Sequence, residues 1–143
     1  MLTRLAARVC VLPLVLLSCQ SPPDISGEIE YFGDLYNISV GLLCDCPQEL
    51  GYETGAECDD ALGGVNVDER ACIANALDGH EADAQGYLGC MNDALDAYVA
   101  CLEDNAGCVA GWNADCTSDY DSARASCSGL DSPQRDSFEA CLP

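Results

Sequence analysis

The sequence predicts an all-α fold: a small disulfide-rich helical bundle of four or five helices that contains a twin-cysteine antiparallel helical hairpin. Three observations lead to this prediction. Apolar residues recur at helical spacing through residues 81–104, and two pairs of cysteines are each separated by eleven residues. Turn-forming glycines and prolines divide the remaining apolar segments. We assign this helical domain to residues 28–143.

The predicted hairpin rests on cysteine spacing. Cys90 and Cys101 share one helix face, because eleven residues make almost three turns and separate the two by about 16 Å. Cys116 and Cys127 have the same separation. In an antiparallel pairing, Cys90 therefore faces Cys127 and Cys101 faces Cys116. Small residues between them, such as Ala94, allow the close backbone approach that disulfides require.

The other elements follow from local signals. Residues 28–44 carry apolar residues that suit a first helix, although Val40 and Gly41 leave a strand-like segment open. Residues 45–67 are rich in turn residues and are expected to be irregular. A short helix begins near Asp68, which can cap it, and another begins at Ser132-Pro133.

The number of cysteines favours a disulfide framework. Of twelve cysteines, Cys10 lies in the N-terminal apolar segment and Cys19 is assigned below to another role. Ten remain, an even number: Cys44, Cys46, Cys58, Cys72, Cys90, Cys101, Cys108, Cys116, Cys127 and Cys141. In an exported protein, this number predicts five disulfide bonds.

The remaining pairings stay open at this level. Besides the four hairpin cysteines, six others allow 15 connectivities. A rival to the nested pairing also exists, because folding residues 68–78 back onto residues 81–104 brings Cys72 near Cys90.

The charge is strongly one-sided. All 25 acidic residues follow residue 18, where only Arg70, Arg124 and Arg135 oppose them, so that part carries a net charge of −22. Such a surface repels nucleic acid, which we exclude as a partner.

The N-terminus has the composition of a secretory signal. Arg4 and Arg8 precede a short apolar run, which falls below the roughly 20 residues that a bilayer span requires. The run ends in Leu-Leu-Ser-Cys at residues 16–19, which resembles the lipobox of bacterial lipoprotein precursors. The resemblance implies cleavage before Cys19 and lipid on its thiol. An ordinary signal, with Cys19 in a disulfide, is the alternative.

This interpretation sets the predicted organisation and location. Residues 1–18 form a signal peptide, and residues 19–27 form a lipidated N-terminus and linker. Lipid on Cys19 makes the membrane a partner. Gln20 stands where aspartate commonly signals inner-membrane retention, which favours the outer membrane.

Two looser resemblances concern the mature part. In architecture only, the hairpin is similar to the twin-cysteine hairpins of the coiled-coil-helix family, which use a nine-residue gap where this chain has ten. The pattern from Cys44 to Cys141 resembles uncharacterised cysteine-rich lipoproteins of myxobacteria. Neither resemblance implies an activity.

No catalytic constellation is recognisable, and we expect no enzyme and no cofactor. His80 is the sole histidine, and no serine stands in a nucleophile motif that would pair with it. We therefore expect a non-catalytic, lipid-anchored envelope protein whose acidic domain serves interaction or structure. Trp112 is the candidate for contact with an unknown protein partner.

The alternative is a metal-binding or thiol redox module. Calcium would bind the acidic residues, such as the cluster of Asp115, Asp119 and Asp121, although the spacing lacks the pattern of a calcium loop. A redox function would use Cys44 and Cys46. Zinc is disfavoured because the cysteines lack the short recurring spacings of a structural site.

Overall fold

The computed structural model describes residues 21–143 and is all-α, as the sequence predicts. The described part of the chain contains six α-helices: α1 (Ser26–Cys44), α2 (Gly55–Leu62), α3 (Val67–Ala76), α4 (Glu81–Asp104), α5 (Ala114–Ser126) and α6 (Ser132–Glu139). A 3-10 turn spans Pro47–Leu50. Five helices lie where the sequence predicts helices, and α2 is the addition. None of these helices combines the length and the apolar character that a membrane crossing demands.

Helix α1 continues through Val40 and Gly41, so the strand-like alternative is wrong. Its apolar residues Ile29, Phe32 and Leu35 are buried in the main core, and the helix packs along α4. Helical spacing places these side chains on one face. The helix begins at Ser26, and the preceding Ile25 is also buried. The first helix therefore begins two residues before residue 28.

Helix α2 lies in the segment that was expected to be irregular. Thr54 caps it, because its hydroxyl oxygen accepts a hydrogen bond from the Glu57 amide at 3.1 Å. Glu57 in turn accepts one from the Glu53 amide at 2.8 Å. A disulfide from Cys58 to Cys44 ties this short helix to the end of α1. Capping and this bond let eight residues form a helix despite the surrounding glycines.

Helix α3 is capped by Asn66 and not by Asp68. The Asn66 side chain accepts a hydrogen bond from the Asp68 amide at 2.7 Å, and Glu69 accepts one from the Asn66 amide at 3.0 Å. These two bonds form a capping box. Ile73 and Leu77 face the core, whereas Cys72 is exposed.

The predicted hairpin is confirmed. Cys90 bonds Cys127 and Cys101 bonds Cys116, with Cα–Cα separations of 5.6 and 5.7 Å. The rival Cys72–Cys90 pairing is wrong, because Cys72 bonds Cys141 and thereby joins α3 to the end of α6. Helices α4 and α5 thus form an antiparallel pair that is closed by a disulfide near each end.

An aromatic cluster closes the core. Phe138 on α6 lies between α1 and α4, with its ring centroid 5.3 Å from that of Phe32 and 5.5 Å from that of Tyr87. Both contacts are edge-on, the favoured geometry for aromatic pairs. Phe32 and Phe138 are fully buried, so α6 is fastened by an apolar side chain as well as by its disulfide.

Candidate functional site

All ten predicted disulfide cysteines are paired. Beyond the two hairpin bonds and Cys72–Cys141, Cys44 bonds Cys58 and Cys46 bonds Cys108. Cys44 and Cys46 therefore belong to different bonds and do not form a dithiol pair with each other. Cys19, the predicted lipidation site, lies outside the described residues, as does the predicted signal peptide.

The acidic residues do not converge on a metal site. Among residues 21–143, no group of three or more His, Cys, Asp or Glu side chains is arranged to hold a metal ion. Asp115, Asp119 and Asp121 are exposed along α5. The calcium alternative consequently has no donor cluster to support it in this part of the chain.

Two of the three arginines in residues 21–143 interact with other parts of the fold. Arg70 on α3 pairs with Glu30 and, at 2.8 Å, with Asp34, both on α1. Its guanidinium lies against Gly33, where a Cβ atom would come within 2.7 Å of it. Arg135 donates hydrogen bonds to the carbonyl oxygens of Cys127 and Leu130 at 3.3 and 3.4 Å. Both arginines stabilise helix packing.

Arg124 on α5 is different. Within the described residues it makes one ion pair, a 3.8 Å contact with Asp121 one turn earlier, and 44% of its side chain is exposed. A contact of this length between exposed groups contributes little. Its guanidinium lies over the ring of Tyr120, 5.9 Å from the centroid. Of the three arginines in the described part, Arg124 is therefore the one whose donors remain accessible.

Arg124 lines a cavity of about 440 Å³ between α1 and α5, which we call the tyrosine cavity. It is lined by the polar side chains of Tyr36, Tyr98, Tyr120 and Arg124 and by the apolar side chains of Leu43 and Leu95, among others. Its origin is topological. Helices α1 and α5 both pack against α4, but no Cα atoms of α1 and α5 lie within 8 Å of each other.

The tyrosines hold a defined arrangement. The rings of Tyr98 and Tyr120 stack at 4.9 Å between centroids, and the Tyr98 and Thr117 hydroxyls share a hydrogen bond of 3.3 Å. Burial raises the pKa of Tyr98, Tyr120 and Tyr36, while the positive charge of Arg124 opposes that rise at Tyr120 and Tyr36. All three phenols are therefore protonated at neutral pH and available as hydrogen-bond donors.

The volume falls in the range of about 300–1,000 Å³ that is typical of small-molecule sites. The cavity also combines apolar walls with a few polar groups, as such sites do. Two acidic side chains, Asp121 and Glu139, lie at the same cavity and limit the charge that it can accept. The volume and the lining of the tyrosine cavity therefore suit the binding of a small molecule.

Two other predicted residues lie elsewhere. Trp112 was the candidate for partner contact, but only 8% of it is exposed, and it belongs to the core. His80 precedes α4, where its Nε2 atom lies 3.0 Å from the side-chain amide of Gln134. Trp112 is therefore not the exposed side chain that a partner contact would use, because the loop before α5 folds the indole inward.

Sequence reasoning missed the tyrosine cavity. It did not predict that Tyr36, Tyr98, Tyr120 and Arg124 would line a common cavity. One signal was present: Arg124 follows Tyr120 by four residues, so both share a helix face. The contribution of α1 had no comparable signal, because Tyr36 lies 84 residues away from Tyr120 in the chain.

The fold and the cavity define a class, a small disulfide-stapled helical domain with a ligand-sized cavity. Comparison of the chain with protein families finds no matching family model, and comparison with curated proteins and with solved structures finds no match.

Proposed function

We propose that this chain is a non-catalytic binding protein of the cell envelope, held to the membrane by lipid on Cys19. The observation that carries the proposal is the complete pairing of the ten cysteines from Cys44 to Cys141 in five disulfides. Such a framework is typical of exported proteins, because the cytosol keeps thiols reduced. The N-terminal lipobox supports the same compartment.

The binding role is supported by the distribution of charge and by the tyrosine cavity. Arg70 and Arg135 are engaged within the fold, so the surface of residues 21–143 is strongly acidic apart from Arg124. Like charge keeps a tethered domain soluble and away from anionic headgroups. The tyrosine cavity is a small concave site on a surface whose acidic residues otherwise repel anions. Gln20 favours the outer membrane as the anchoring membrane.

The experiment is an intact-mass measurement of the chain as its host produces it, before and after reduction. We expect acyl chains on an N-terminal Cys19 and a gain of two hydrogens for each of five disulfides. Cys19→Ser should release the protein from the membrane fraction without changing the disulfide count. A mass that includes residues 1–18, or free thiols before reduction, would contradict the proposal. So would a defined turnover that one substitution abolishes.

A further inference from the structure

We propose that the tyrosine cavity binds a small amphipathic carboxylate, with its carboxylate on Arg124 and its apolar chain against the apolar side chains that line the cavity. This inference deepens the proposed binding role and rests on it. It concerns a site that is lined by residues of α1, α2, α4, α5 and α6 and by the two residues Leu142 and Pro143 that follow.

The head-group preference comes from Arg124. A guanidinium offers a planar set of donors that matches a carboxylate with two parallel hydrogen bonds. Its present partner, Asp121, is 3.8 Å away and leaves those donors free for a second carboxylate. Arg70 and Arg135 lack this freedom, because carboxylates and backbone carbonyls already accept their hydrogen bonds.

The phenols add to this preference. Tyr36 and Tyr120 line the same cavity as Arg124. Burial raises the pKa of both phenols, and the positive charge of Arg124 opposes that rise. Because both phenols are protonated at neutral pH, they donate hydrogen bonds and do not repel an anion. Within the described residues, the Tyr36 hydroxyl has no hydrogen bond to a protein group, so its proton is available to a ligand.

The apolar wall determines the rest of the ligand. Val40 and Leu43 of α1, Leu95 of α4 and Leu142 all line the cavity with apolar side chains. Hydrocarbon buried there is removed from water, which favours binding. A carboxylate with an alkyl chain of medium length therefore matches both the polar and the apolar side chains of the cavity.

A cationic ligand is the main competitor, because Asp121 and Glu139 are present and aromatic rings attract cations. Two observations favour the carboxylate. Arg124 already lies over the Tyr120 ring, and the stacked Tyr98 ring covers another part of the aromatic surface. The guanidinium would also repel a second cation placed beside it.

The test is a calorimetric titration of the purified full-length chain with octanoate, at concentrations that do not form micelles, and in parallel with octylamine. We expect octanoate to bind at one site and octylamine to bind at least tenfold more weakly. Arg124→Gln should weaken octanoate binding at least tenfold, and Tyr36→Phe about threefold. Ser122→Ala, an exposed position on the same helix that does not line the cavity, should leave the affinity unchanged.

Three results would overturn the inference: no octanoate binding, equal affinity of wild type and Arg124→Gln, or tighter binding of octylamine. These failures differ from failure of the proposed function. If the mass measurement finds acylated Cys19 and five disulfides while octanoate does not bind, the anchored role stands and only the ligand class is wrong. If the acyl chains are missing while octanoate binds, the cavity is a ligand site and the anchored role is wrong.

Discussion

Helices α1 and α5 both pack against α4, but different interactions hold them there. Helix α1 buries Ile29, Phe32 and Leu35 and has no direct disulfide to α4. Helix α5 buries a single residue within its bounds, Cys116, and two disulfides join the α5 segment to α4. Helix α4 is therefore held to α1 by apolar contacts, which we call the apolar seam, and to α5 by two disulfides, which we call the covalent seam.

The difference teaches how a small polar helix is retained. Apolar burial stabilises the folded state by about 25 cal/mol for each Å² removed from water. A disulfide acts mainly by restricting the unfolded chain, and it does so whatever the polarity of the helix. Helix α5 contains serine, threonine and aspartate at positions that a self-sufficient helix would give to apolar residues. Because disulfides hold α5 in place, the helix does not need apolar side chains for its attachment and can have a polar surface beside the tyrosine cavity.

The largest expected effect comes from breaking the apolar seam. Phe32→Ala should lower the free energy of unfolding by about 3–5 kcal/mol, because it leaves a cavity where the side chain is fully buried. Denaturant titration under oxidising conditions measures the loss. Ile38→Ala, which removes an exposed apolar side chain from the same helix, is the matched control. An equal loss for both variants would contradict the seam.

Removing a nested disulfide should have a slightly smaller effect. Replacing both cysteines of the 90–127 pair with alanine should cost about 4 kcal/mol, and of the 101–116 pair about 3 kcal/mol, because the first closes a longer loop. With all four replaced, amide hydrogens of α5 should exchange fast while those of α1 stay protected. Replacing Cys72 and Cys141 is the control, and it should leave exchange in α5 unchanged. Slow exchange in α5 without its disulfides would show that apolar contacts suffice.

The contact between α1 and α3 is made by ion pairs, and it shows how much charge contributes to stability in comparison with apolar burial and disulfides. Arg70→Ala should lower the free energy of unfolding by about 1–2 kcal/mol, since it removes charge-assisted hydrogen bonds whose carboxylate partners are mostly exposed.

A substitution at Gly33 tests whether the Arg70 guanidinium lies directly against this residue. Gly33→Ala should destabilise the wild type, where the new Cβ meets Arg70 at 2.7 Å. In the Arg70→Ala background the clash is absent, and the same change should stabilise α1 by up to about 1 kcal/mol, because alanine favours a helix interior. A double-mutant cycle measures the change of sign. Additive effects would contradict the close approach.

The smallest effect concerns pH. Burial raises the pKa of Tyr98 and Tyr120 in the folded state above the value of about 10 that an unfolded chain would show. The folded state therefore holds these protons more tightly, and their contribution to stability is complete below pH 10 and lost as the pH rises through the folded values. Denaturant titrations between pH 8 and 11 should show this decline. A variant with phenylalanine at both positions should show a shallower one, and an equal slope would contradict the prediction.

The sequence predicted the helical hairpin although α5 is polar and lacks an apolar stripe. Cys90, Cys101, Cys116 and Cys127 lie at spacings that match the helical repeat, so their pairing followed from local geometry. The pairing of Cys46 with Cys108 could not follow in the same way, because 62 residues separate them. Helix α2 was missed since its capping residue, Thr54, stands among glycines that normally break helices. Trp112 was misplaced because burial of a loop side chain depends on the path of the loop.

By itself the sequence determined the all-α class, the nested hairpin, the acidic surface and the number of cysteines available for bonding. These properties depend on composition and on periodic spacing within one segment, which a linear chain displays directly. Only the tertiary structure decided that Arg70 lies against Gly33 and that Arg124 remains accessible. The tyrosine cavity also belongs to the tertiary structure, because it exists where α1 and α5 both pack on α4 while their own backbones stay apart. Such a gap depends on how three helices far apart in the chain are placed in space.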